Sequence, residues 1–215
     1  ASDVYKRQEF REYGSKGGCR YYIHDEWTQQ AGGYGLFKIE GSLQLEPQDL
    51  LAFVFDMDQV AQVDPTVVLN KVLVTYRGKA KGDPFSAVAY WANNPGFPFY
   101  IRDGIDLTTY HKDEDGTMWQ MSVSLTGGNF FQSQPGGFEA TDRIFGYKLV
   151  PQGDGTTRVT LLCQTVLGGY IPKLLSNYMV CKVLIDYMKT IETTVQKRKE
   201  TGEHQQVLKE LELDG

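Results

Sequence analysis

Few side chains in this sequence could carry out chemistry, and their spacing decides against most of the reactions they would suit. Arg102-Asp103 is a charged pair beside a loop, His111 stands next to an acidic turn, and Asp106 and Glu139 are the carboxylates best placed to serve as a buried acid or base. A hydrolase of the nucleophile-elbow type would need Gly-x-Ser-x-Gly and a histidine in a motif context, and neither occurs. A zinc site would need His24, His111 and a cysteine to converge, and no ligand spacing supports it. Cys19, Cys163 and Cys181 are odd in number and none lies in a Cys-x-x-Cys spacing, so they read as buried thiols of a reducing compartment. No catalytic residue, metal or cofactor is expected, and His111 reads as an exposed side chain.

The elements that must hold these residues are organised around the stretch from Val159 to Lys199. Val159 to Leu167 is rich in β-branched residues and short enough to be one strand. Gly168-Gly169 ends it, and Pro172 has the fixed φ suited to a first helical turn. Apolar residues then recur at helical spacing from Leu174 through Leu184, Tyr187 and Ile191 to Val195. A helix of roughly 25 residues is about 37 Å long. No second helical pattern of that length exists to cover it, so its partner must be a sheet.

The rest of the chain supplies that sheet. Cys19 to Trp27 and Tyr34 to Leu45 read as strands, Glu46 to Phe55 as a helix with Pro47 in its first turn, and Asp58 to Val63 as a second short helix stopped by Asp64-Pro65. From Thr66 the pattern is strands for about a hundred residues, with hairpin signals at Asp113-Glu114-Asp115-Gly116 and Gly153-Asp154-Gly155. This order predicts an α+β fold: a curved antiparallel sheet wrapped around a long C-terminal helix, with two short helices after the second strand. Residues 1–18 are expected to be an extension, disordered or weakly helical around Tyr5 to Tyr13, residues 19–199 the domain, and residues 200–215 a charged, frayed tail. With 215 residues, 41% of them hydrophobic, the chain can bury one substantial core. Its net charge of -5 and lack of a basic run weigh against nucleic acid. No apolar run approaches the 18 or so residues of a membrane span, so a cytoplasmic monomer is expected.

The order of these elements and several short motifs resemble the StAR-related lipid-transfer (START) family, whose fold is the helix-grip. The resemblance rests on Val63-Asp64-Pro65, Tyr90-Trp91, Phe97-Pro98, Arg102-Asp103, Gly169-Tyr170-Ile171-Pro172-Lys173 and Asn177, and covers about Cys19 to Lys199. It implies a non-enzymatic carrier that holds one lipid molecule in a tunnel between sheet and helix. Trp91, Thr108, Val180, Val183, Leu184, Tyr187 and Ile191 would line that tunnel. Phe97, Phe99 and Tyr100 would form a gate loop in transient contact with a membrane, and Arg102 with Asp103 a structural ion pair. The alternative on the same architecture is a small enzyme of the polyketide cyclase or aromatase type, which would want Asp106 or Glu139 in the tunnel.

The sequence departs from the family where head groups are held. Val60 stands where phosphatidylcholine carriers have an arginine, Gly104 where they have a cage tyrosine, and Ala89 and Thr108 near where sterol carriers have a buried acid and arginine. A buried unpaired charge costs several kcal/mol, so an uncharged tunnel predicts a sterol or another weakly polar lipid over a phospholipid. An arginine entering from another strand, such as Arg143, would reverse that preference.

Overall fold

The structure is a computed structural model and describes residues 10–56, 64–78, 84–96, 99–125, 138–140, 142–167 and 171–211. The short helix expected from Asp58 to Val63 lies outside these residues, as does most of the weak helix expected around Tyr5.

Alternating apolar residues form the strands β1 (Arg11–Lys16), β2 (Cys19–Ile23), β3 (Leu36–Leu43), β4 (Val67–Arg77), β5 (Phe85–Asn93), β6 (Ile101–Lys112), β7 (Met118–Ser124), β8 (Phe138–Ala140), β9 (Asp142–Pro151) and β10 (Thr157–Val166). They make one ten-stranded sheet in the order β1-β2-β3-β10-β9-β7-β6-β5-β4, antiparallel except that β8 runs parallel to the start of β6. The helices are α1 (Asp25–Gln30), α2 (Pro47–Phe55), α3 (Lys173–Thr201) and α4 (Glu203–Glu210). This is the grip architecture expected from the order of elements.

Three local expectations are corrected. Arg11 to Lys16 is a strand paired with β2, because Gly17 and Gly18, both at positive φ, turn the chain back on itself. The strand expected to continue to Trp27 ends at Ile23, where the His24 ring accepts a hydrogen bond from the Trp27 backbone and caps α1. The tail is not a frayed segment throughout. Gly202, at φ 79°, lets the chain turn out of α3 into α4, which buries His204, Leu208 and Leu211.

The helix α3 runs from one end of the sheet to the other. At its head the Asn177 side chain donates to the Gly33 carbonyl and accepts from the Gly35 amide, just before β3 begins. Toward its tail Glu192 accepts from the Gln44 amide, where β3 has ended. Between these ties Cys181, Leu184, Ile185, Met188 and Ile191, and just beyond them Val195, are buried in one core with Phe37, Ile39, Leu161 and Leu149. The head of α3 therefore lies at the end of the sheet where β5, β7 and β10 finish and β6 and β9 begin.

A polar clasp locks the other end. Asp49 of α2, 3% exposed, accepts from Lys199 of α3 and lies 3.0 Å from the ring Nε2 of His204 on α4. Burial opposes the Asp49 charge, but the bonds from His204 and Lys199 outweigh it and hold the carboxyl below its ordinary value. Since the folded-state pKa is the lower one, this stabilisation is full above the unfolded value of 3.8 and is lost as pH falls through the folded value. Asp49→Asn should cost about 3 kcal/mol at neutral pH, lowering Tm by about 6–12 °C, with the difference shrinking in melts taken at progressively lower acid pH.

Candidate functional site

Strand alternation decides which residues face the helix. The registers place Trp91 opposite Gly104, Asp106 opposite Ser124, Thr108 opposite Ser122, and Gln120 opposite Tyr147. Phe145 and Cys163, and Tyr147 and Leu161, continue these rows across β9 and β10. Since Leu161 and Leu149 are core residues beneath α3, this whole set shares the concave face.

The central feature is a charge pair that the spacing of the sequence did not reveal. Asp106, 1% exposed, accepts from the Arg143 side chain through one oxygen; through the other it accepts from the Trp91 ring nitrogen at 2.9 Å and from Ser124 at 2.9 Å. Ser124 in turn accepts from the Arg143 amide at 2.8 Å, and the Arg143 guanidinium stacks 4.3 Å from the centre of the Trp91 ring. The expected uncharged tunnel is thus corrected: two ionised groups from β6 and β9 meet on the concave face, far apart in sequence and adjacent in space. Gly104 has its place in the same cluster, because a Cβ there would fall 2.8 Å from the Trp91 ring. The position that would carry a cage tyrosine is filled by the indole itself.

This cluster stands near the end of the sheet where α3 begins. At this end Val123, Asp142, Ile144, Gln164 and Val166, which alternate onto the opposite face, line with Ser124 and Arg143 an open hollow of about 360 Å³, separate from the space beneath α3. Toward the opposite end follow Thr108 bonded to Ser122, then Gln120, which donates to Ser122 at 2.7 Å, and Tyr147 beside Tyr187 of α3. Burial pushes the phenols of Tyr147 and Tyr187 well above their ordinary range and lifts the Cys163 thiol to about 11. Yet Thr108, Phe145 and Tyr187 keep accessible surface while facing inward between sheet and helix. Side chains that are enclosed but still touched by solvent border a space instead of a packed core.

The other expected site residues are distributed as follows. Leu184 and Ile191 belong to the packed core, Val180 and Tyr187 lie partly buried beside it, and Val183, 41% exposed, falls on the flank of α3 and off its buried stripe. Phe97 lies outside the described residues; Phe99 is half-buried and Tyr100 is 59% exposed. Arg102 and Asp103 occupy successive positions of β6, both buried, and Asp103 accepts a hydrogen bond from the Tyr90 hydroxyl at 3.0 Å. Burial and this contact raise the Tyr90 phenol to about 12. Cys19, Cys163 and Cys181 are buried and unlinked, and His111 is exposed beside Asp113.

A buried pair of this kind has a defined signature. Removing one partner leaves the other charge stranded, at a cost of about 3–5 kcal/mol, whereas replacing both by apolar groups is often nearly neutral. Arg143→Met alone should therefore lower Tm by about 6 °C or more, and Arg143→Met with Asp106→Leu should recover most of the loss in the same melting experiment.

With this geometry in hand, known proteins can be compared. A sequence profile of the START domain matches residues 19–201. An uncharacterized protein of Pseudomonas aeruginosa, PA1579, is 28% identical over 103 residues, and the match spans 47% of this chain and half the length of that curated relative. Among solved structures, human STARD10 superposes with a TM-score of 0.77 at 15% identity, covering 94% of this chain and 80% of that one. Human StAR-related lipid transfer protein 5 gives 0.73 at 15% identity, with 91% and 92% covered. A STAR-related lipid transfer protein fragment from Xanthomonas axonopodis gives 0.71 at 20% identity, with 87% and 98% covered. These superpositions share the helix-grip fold, and the profile match over most of the sequence makes the chain a member of the START domain family, whose members generally bind lipid.

Proposed function

We propose that the protein is a non-enzymatic carrier that encloses one lipid molecule between its sheet and α3. The observation that carries this reading is the accessible surface kept by Thr108, Phe145 and Tyr187 on faces that point inward. In a closed core those positions would be filled, since interiors pack like organic crystals. Val180, Tyr187, Phe145 and Thr108 are the proposed walls, and Leu184 and Ile191 hold α3 to the sheet behind them.

The ligand we favour has an uncharged head, of the sterol type. Arg143 does enter the concave face, but Asp106 matches its charge, so the pair adds no net charge to the site. A phosphate brought there would leave one negative charge unbalanced. Recognition of choline needs an open aromatic face, and in Trp91 that face is occupied by Arg143. A cyclase-type reaction gains no support from Asp106, whose charge is matched by Arg143 and whose oxygens already accept three hydrogen bonds from Trp91, Ser124 and Arg143.

Transient membrane contact is proposed at the end of the sheet where α3 begins. Leu174 is 83% and Tyr178 64% exposed one helical turn apart at the head of α3, and Tyr100, 59% exposed, precedes β6 at the same end of the sheet. Among the described residues, no helix is long and apolar enough to cross a membrane, so insertion would be shallow.

Native mass spectrometry of the purified chain should show one lipid per protein, lost when Val180 and Tyr187 are both changed to arginine while circular dichroism stays native. Retention of lipid by that folded variant would overturn the reading. In competition, a sterol should displace a fluorescent lipid at least about tenfold better than phosphatidylcholine, a difference of about 1.4 kcal/mol. Changing Leu174 and Tyr178 together to serine should slow transfer between vesicles several-fold, leave equilibrium binding unchanged, and do so almost independently of salt.

A further inference from the structure

Two polar atoms on the concave face are left without a partner by everything described above. Gln120 is 1% exposed and Tyr147 2%; among the described residues neither the Gln120 Oε1 nor the Tyr147 hydroxyl finds a hydrogen-bond partner. The two residues are cross-strand neighbours on the inward faces of β7 and β9. The Tyr187 phenol approaches that of Tyr147 from α3 closely enough to act on it as a hydrogen-bonding neighbour, yet the two do not close a bond of ordinary length. Buried polar groups are almost always satisfied, and two adjacent exceptions mark a place that something else completes. What fits is a group that donates to the Gln120 oxygen and accepts from the Tyr147 hydroxyl. A hydroxyl does both.

The position of this spot says what else the same molecule carries. Arg143, Phe145 and Tyr147 follow one another on the inward face of β9, and Ser124, Ser122 and Gln120 do so on β7. Four residues of strand separate the charge cluster from the orphaned pair, roughly 14 Å. Between them lies the Phe145 ring, half-accessible and edge-on to Tyr147 at 5.2 Å. The wall is thus polar at Arg143, apolar along Phe145 and polar again at Tyr147. Beyond this, Met118 and Leu149 close the face with fully buried apolar side chains.

We propose that Gln120 and Tyr147 form a second polar subsite, taking a hydroxyl borne about 14 Å from the polar group that meets Arg143, so that the ligand is an elongated lipid polar at both ends. The inference rests on the carrier reading and deepens it. A ligand with one polar end would leave the orphaned pair facing hydrocarbon, and an apolar wall there would have served such a ligand better.

The experiment compares decan-1-ol with decane-1,10-diol, whose length suits the spacing, as competitors of a fluorescent lipid on the delipidated full chain. In a merely apolar tunnel the second hydroxyl weakens binding. Here the diol should bind about tenfold more tightly than the mono-alcohol, as expected for one hydrogen bond to a buried group. Gln120→Met and Tyr147→Phe should each bring the ratio to one or below. Tyr147→Phe should leave the melting temperature of the lipid-free protein unchanged or raised, because the deleted hydroxyl had no partner in the fold. Preference for the mono-alcohol, or a diol preference untouched by both substitutions, overturns the subsite and leaves an ordered water as occupant. A clear drop in lipid-free stability on Tyr147→Phe also overturns it, since the hydroxyl would then be structural. Failure of both alcohols to displace a bound lipid overturns the spacing, whereas failure of every lipid to bind overturns the carrier reading itself.

Discussion

The arrangement of the concave face depends on one constraint: Asp106 is a carboxylate removed from water, and every neighbour must help keep it charged. Arg143 supplies the counter-ion, Trp91 and Ser124 supply donors, and the guanidinium covers the indole. Those contacts tie β5, β6, β7 and β9 together at the same level of the sheet. They also explain why residue 104 is glycine, since the ring that donates to Asp106 lies flat across its Cα. Loss of any one partner leaves a buried polar group unsatisfied, so the cluster is held in a single geometry.

That fixed geometry has consequences for binding. An arginine already balanced by an acid is a poor partner for a phosphate but still offers donors to a neutral oxygen. An indole already stacked with a guanidinium cannot cage a quaternary ammonium. On the proposed carrier reading, Arg143 and Trp91 would therefore act against a phospholipid. Specificity of this sort comes from occupying the positions a competitor needs.

At the far end the chain solves a different problem, how to hold a 29-residue helix over a sheet. The buried stripe from Leu184 to Val195 packs the second half of α3 firmly, and Asp49, Lys199 and His204 clasp α2, α3 and α4 around its end. Among the described residues, the head of α3 is tied through Asn177 and a Lys173–Tyr34 contact and leaves Leu174 and Tyr178 in solvent. Stability is thus concentrated away from the end where a ligand would enter, which allows that end to open without unfolding the rest.

The sequence by itself determined the elements and their order. A 3.6-residue period sustained from Leu174 to Val195 admits only a long helix, and β-branched runs broken at Asp-Gly turns admit only an antiparallel sheet around it. What it could not express is which charges meet. Asp106 and Arg143 are 37 positions apart on strands that are not even hydrogen-bonded neighbours, joined only because β7 runs between them with small serines on its inward face. Alternation narrowed Asp106 to one of two faces, and the curvature and register of the whole sheet chose between them. The Gln120 and Tyr147 pairing was equally invisible, for the same reason: period-2 patterning gives each strand's faces, while the register that sets one strand's residues opposite another's is fixed by every pairing in the sheet at once.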